Sequence, residues 1–206
     1  LFMRLASSSN SRGVRSISPL SPDAVWASSS SVMPLAVTAL EAVQALRAVG
    51  HKKIGITDEV VHRGLARTVW VGRFTCVGER PLFIVDGAHN EDAAWQLRKT
   101  LETYFPRKRL IYLIGVFKDK EYEKIVEIMA PLAAKVYTVN LPDMGRTLDA
   151  RTLKEAFDTV YCKGRVTVSE DYVVAVGDIG QAIRLALEEA KEEDVILAFG
   201  SLSYLG

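Results

Sequence analysis

Residues 84–92 read Ile-Val-Asp-Gly-Ala-His-Asn-Glu-Asp. An apolar run stops abruptly at Asp86, and a helical pattern begins five residues later, at Glu91. The stretch reads as a strand, a turn and a helix, and the turn holds more chemistry than a chain reversal needs. Glycine supplies the backbone bend. Asn90 suits the N-cap of the helix, with Glu91 and Asp92 facing the positive end of its dipole. Asp86 has a plain reading as a local turn former, whereas His89 is the residue that packing explains least.

The same unit recurs downstream. Helix 92–104 precedes strand 109–115, and helix 120–132 precedes strand 135–139. Helix 148–159 precedes strand 165–168, and helix 178–191 precedes strand 195–199. The strand segments are short, continuous apolar runs, as expected where both faces of a sheet are covered. Such a succession predicts right-handed crossovers and a parallel, doubly wound α/β sheet. Upstream, Arg73–Asp86 reads as two strand-like runs around Gly78-Glu79-Arg80-Pro81, an N-terminal β-hairpin.

Before the hairpin the periodicity is helical. Leu35, Ala39, Ala42, Val43, Leu46 and Val49 share one face, with Pro34 in the first turn and Gly50 at the stop. Thr57 is placed to cap a second helix running to about Thr68, with Asp58 and Glu59 in its first turn. Two such helices are too little for a domain of their own. Residues 1–30 are Ser-rich and irregular, with three arginines and no acid before Asp23. That composition resembles an organelle transit peptide, but the plainer expectation is a remnant or the cut end of a longer protein.

The 206 residues are 49% hydrophobic and 25% charged, ordinary for a globular chain. The formal net charge is +1, which argues for neither nucleic acid nor a membrane surface as partner. The charge is uneven: residues 1–80 hold 10 basic and 5 acidic side chains, residues 81–206 hold 16 and 20. Two cysteines, Cys76 and Cys162, make no disulfide framework, so a reducing compartment, the cytoplasm, is expected. No run approaches the roughly 18 apolar residues of a membrane-spanning helix.

In an open parallel sheet ligands bind where the strand-to-helix loops emerge, at the carboxyl ends of the strands. Three of those loops are rich in small and reactive residues: Asp86–Asn90, Val116–Lys120 and Gly200–Tyr204. The two others, 140–146 and 169–178, look less like parts of a tight site. A Gly-x-Gly-x-x-Gly after the first strand, a P-loop, a zinc-type spacing and a Gly-x-Ser-x-Gly elbow are all missing from the chain. The acids at 91 and 92 disfavour phosphate at that helix N-terminus. The residues alone thus point to a small-molecule site on the edge of an α/β sheet, and they leave open a metabolite-binding module without catalysis.

The order of four motifs narrows this. Thr68–Phe74 (TVWVGRF), Val85–Asn90 (VDGAHN), Gly115–Lys120 (GVFKDK) and Phe199–Gly206 (FGSLSYLG) resemble folylpolyglutamate synthase/dihydrofolate synthase, a family of the Mur ligase superfamily, over roughly residues 32–206. The peptidoglycan Mur ligases carry a different version of the Asp-Gly-Ala-His-Asn turn and rank second. The resemblance implies residues 31–70 as the tail of a central ATPase domain and 71–206 as a Rossmann-like Mur ligase C-terminal domain. It implies ATP-dependent addition of L-glutamate to folate through an acyl phosphate. The P-loop, the magnesium ligands and a modified lysine would lie in an N-terminal domain outside these residues. The 206 residues would pack on that domain and be inactive without it.

Carried over by position, the resemblance implies that Arg73 contacts ATP phosphate, and that Asp86 holds the nucleotide or organises the closed site. His89 would lie near the reacting phosphate or the incoming glutamate, Asn90 beside the nucleotide, and Ser201 against glutamate. It implies no metal ligand on this chain. Alanine at Asp86 or His89 should then lower turnover with the fold kept. Two positions depart from the family pattern: Glu91 and Val71 stand where proline is usual.

Overall fold

The computed structural model describes residues 33–49, 56–67, 71–143, 145–163 and 171–205. The readings made for residues 1–30, for Gly50, for Thr68 and for a strand at 165–168 fall outside the described residues.

Two helices come first, α1 (Met33–Ala48) and α2 (Asp58–Arg67). Thr57 caps α2 as its sequence predicts, its Oγ1 accepting from the Val60 amide at 3.2 Å. Arg47 joins the two helices, pairing with Asp58 at 2.8 Å and donating to the Ile56 carbonyl at 3.0 Å. Among the described side chains of these helices, the apolar Val37, Leu40, Leu46 and Val60 are exposed.

A hairpin follows. Strands β1 (Thr75–Glu79) and β2 (Leu82–Val85) are antiparallel, closed by Arg80 and Pro81 across a cis peptide, with an irregular register between Cys76 and Gly78. The chain then alternates through α3 (Glu91–Tyr104), β3 (Leu110–Ile114), α4 (Tyr122–Met129), β4 (Ala133–Val139), α5 (Ala150–Lys163), β5 (Val173–Gly177), α6 (Ile179–Glu189) and β6 (Val195–Phe199). The helix expected over 120–132 ends at Met129, and Ala130–Leu132 form a 3-10 turn around Pro131. Proline lacks the amide that a continuing helix would need.

The sheet order is β1-β2-β6-β3-β4-β5. Every pair after the hairpin is parallel, so the doubly wound architecture with an N-terminal hairpin is as the sequence predicts. Side chains alternate between two cores. Leu110, Tyr112 and Ile114 of β3 face α3, α4 and α5, whereas Ile111 and Leu113 face α6. That two-sided burial is why the strand reads as an unbroken apolar run.

One segment differs from its sequence reading. Residues 173–177, expected within a loop, form edge strand β5, paired with β4 from Val136↔Val173 to Val139↔Gly177. Only Val173 of this strand is buried, the rest being half-covered. An edge strand with one neighbour and a mostly half-covered face gives a weak pattern, and the acidic residues before it mimic a loop.

Candidate functional site

Strand order decides which loops meet. Because β6 enters between β2 and β3, the loops leaving those three strands are neighbours on one edge. Backbone bonds stitch them together. The Asp86 amide donates to the Ala198 carbonyl at 2.9 Å, the Gly200 amide to Ala88 at 2.9 Å and the Gly115 amide to Phe199 at 3.4 Å. Two glycines permit this approach. Gly200 has φ +105°, and a Cβ there would lie 2.2 Å from the Gly115 carbonyl oxygen. At Gly87 a Cβ would lie 2.4 Å from Cδ2 of Leu202. The three loops proposed from sequence therefore form one continuous surface.

Asp86 is its centre and is 1% exposed. Its Oδ2 accepts the Phe74 amide at 2.8 Å and its Oδ1 accepts the Ala88 amide at 2.8 Å. One carboxylate thus ties the turn before β1 to the turn after β2. Burial pushes the Asp86 carboxyl up, while the two amide bonds and the Arg73 and His89 charges pull against that shift. Alanine at this position would leave two buried amides without acceptors, so stability falls as well as any turnover.

His89 is half-buried beside it, with Nδ1 2.7 Å from the Gly87 carbonyl oxygen. A carbonyl only accepts, so Nδ1 carries the donated proton and Nε2 is the nitrogen left for another partner. Asn90 is exposed and caps α3, its Oδ1 accepting the Ala93 amide at 2.9 Å. Glu91, in the first turn, is matched by Lys124 of α4 at 2.8 Å. Arg73 is half-buried in the turn that Asp86 holds. Ser201 is 6% exposed, and its Oγ lies 2.8 Å from Ser203 Oγ and accepts the Ser203 amide at 3.1 Å.

The loop 140–146, which by sequence looks less like part of a tight site, reaches this edge too. Lys118 donates its amide to Arg146 at 2.9 Å and Leu148 donates to Val116 at 2.9 Å, around a bridge between Phe117 and Thr147. The Arg146 guanidinium sits 4.4 Å from the Phe117 ring centroid and 3.4 Å from Asp119. A signal was present in Asp143-x-Gly145, since the Asp143 side chain accepts the Gly145 amide at 3.1 Å. Lys118 itself is exposed. Among the described residues no group of three His, Cys, Asp or Glu could hold a metal ion.

Comparisons with known proteins bear on the family and the fold. Residues 72–202 match the Mur ligase, glutamate ligase domain. The chain belongs to the Mur ligase family. Among curated members of the family, the dihydrofolate synthase/folylpolyglutamate synthase of Bacillus subtilis is 31% identical over 101 residues, 49% of this chain and 23% of that protein. The enzyme of the same description from Escherichia coli is 29% identical over 178 residues, 82% of this chain and 35% of that protein. In structure, Escherichia coli FolC in complex with DHPP and ADP superposes with a TM-score of 0.66 at 26% identity, covering 80% of this chain and 36% of that one. The chain spans between 16% and 37% of the length of the curated relatives it matches. The edge built around Asp86 lies inside the matched Mur ligase domain, as do Arg73, His89, Asn90 and Ser201.

Proposed function

We propose that this chain is the C-terminal part of an ATP-dependent ligase that joins L-glutamate to folate through an acyl phosphate. Its task is to close over the nucleotide and present the amino acid. The observation that carries this reading is the convergence of Arg73, Asp86 and His89 on one edge of a Mur ligase glutamate ligase domain. Relatives described as folylpolyglutamate and dihydrofolate synthases, and a FolC neighbour holding ADP, support the substrate class.

Arg73 contacts the transferring phosphate and offsets its charge, since phosphoryl transfer needs positioning and cations more than covalent help. Asp86 organises the site through the two amides it holds. His89 offers Nε2 towards the incoming ammonium or the reacting phosphate, and Asn90 borders the nucleotide while capping α3. Ser201, with Ser203, takes the glutamate. Closure of this edge keeps water from the acyl phosphate.

Magnesium would serve the N-terminal part: the described residues supply no metal-holding group, and no step assigned to them runs through it. Helices α1 and α2, with exposed apolar faces and a position before the matched domain, belong to the preceding domain. The C-terminal domain, residues 71–206, packs against that same domain. Two unpaired cysteines support a cytoplasmic setting. Among the described residues no helix is long and apolar enough to cross a membrane.

The test is an assay of the full-length protein with ATP, L-glutamate and a folate or dihydropteroate acceptor, beside a panel of peptidoglycan precursors. Glutamate-dependent ADP release with a folate acceptor supports the reading, and activity on the peptidoglycan panel alone refutes it. His89→Ala should lower turnover by about 10²–10⁴-fold if it handles the amine proton. The isolated 206 residues should show no turnover.

A further inference from the structure

Thr75 and Phe74 surround Arg73 in a way that the reaction as described does not use. Phe74 has φ +47°, in the left-handed region that bulky L residues rarely adopt. Gly72, on the other side of Arg73, has φ +85°. Arg73 therefore stands between two residues of reversed backbone.

Such a conformation persists only when its surroundings over-determine it, and here three contacts do so. The Phe74 amide is held by Asp86 Oδ2 at 2.8 Å. The Phe74 ring is 4% exposed and stacks on Phe105, centroids 6.3 Å apart at 22°. The Gly72 amide, in a buried residue, donates to Thr75 Oγ1 at 2.9 Å. Behind the turn, a Cβ on Gly87 would come within 3.4 Å of the Gly72 carbonyl, so the two turns sit back to back.

We infer that Phe74 and Thr75 are positioning residues: they fix the turn that aims Arg73, the ring by anchoring it in the core and the Thr75 hydroxyl by pinning the Gly72 amide. This deepens the proposed function and rests on the reading of Arg73 as the phosphate contact.

Thr75→Val keeps the shape and removes the acceptor, while Thr75→Ser keeps the acceptor. In the full-length enzyme, assayed below the melting temperature of every variant, Thr75→Val should lower kcat by about tenfold with the KM for ATP changed less. Thr75→Ser should stay within about twofold, because its hydroxyl restores the bond. Arg73→Ala should lower kcat by about 10²-fold. The double variant Arg73→Ala/Thr75→Val should be no slower than Arg73→Ala alone, because Thr75 acts through Arg73. A silent Thr75→Val, a Thr75→Ser that fails to rescue, or effects that multiply in the double variant overturn the positioning role and leave the reading of Arg73 intact. A silent Arg73→Ala overturns the phosphate contact itself, and this inference with it.

Discussion

The two edges of the sheet hold their buried acids, Asp194 and Asp86, in different ways. At the amino edge, Arg109 pairs with Asp194 at 2.9 Å and with Glu189. Glu189 also accepts the Tyr137 hydroxyl at 2.6 Å and lies 3.7 Å from Lys135. Side chains answer side chains there, with one backbone amide, that of Lys191, also donating to Asp194 at 2.9 Å. At the carboxyl edge, Asp86 is answered by two backbone amides. Its carboxylate thereby shapes backbone, and the half-buried side chains of Arg73 and His89 belong to the two turns it joins. A network of paired side chains locks an end of the sheet, whereas a buried acid clamped by amides builds a rigid turn from which other groups project.

Gly200→Ala strikes the carboxyl edge hardest. Its Cβ would meet a backbone oxygen at 2.2 Å on top of an unfavourable φ, so the loops must separate. A loss of about 3 kcal/mol or more is expected, read as a lowered denaturant midpoint. Wild-type stability would show that the three loops do not interlock.

Asp86→Ala comes next, at about 2–4 kcal/mol for two buried amides left without acceptors, together with loss of turnover in the full-length enzyme. Unchanged stability would mean the clamp is not what holds the turn.

Glu189→Gln, at the amino edge, is the smallest. The side chain is about a third exposed, so screening limits the loss to roughly 1 kcal/mol. Its signature is in pH. Burial pushes the Glu189 carboxyl up, but hydrogen bonds from Tyr137 and Arg109 and the Lys135 charge outweigh that, and the net shift is downward. A depressed carboxylate contributes stability above its unfolded pKa and loses it as pH falls through the folded one. Glu189→Gln should therefore flatten the acid limb of the stability profile below the ordinary carboxylate range. Asp86, shifted upward, has the opposite sign: its contribution is present at low pH and lost as pH rises through its folded pKa. Urea titrations from pH 2 to 7 separate the two carboxylates, and identical slopes for both variants would erase the contrast between the edges.

Much of the architecture was legible because local and global preferences agree. Runs such as Leu110–Ile114 and Val195–Phe199 are apolar throughout and are buried on both faces. Asn90 and Asp178 cap the helices that follow them, through the Ala93 and Gln181 amides. The residue types at the turn after β2 also marked it as more than a bend. Edge strand β5 escaped, since one neighbour and partial cover leave little trace in the sequence. The place of loop 140–146 escaped too, because it is set by pairing with Val116–Lys118, about thirty residues away.

The sequence by itself determined the succession of strands and helices and the residue types at their loops, because periodicity and capping act over a few neighbouring positions. Only the tertiary structure placed β6 between β2 and β3, set Leu202 into the space beside Gly87, and gave the carboxylate of Asp86 an amide twelve residues upstream. Those contacts join residues far apart in the chain. Long-range pairing is settled by packing the whole core at once, and no local pattern records it.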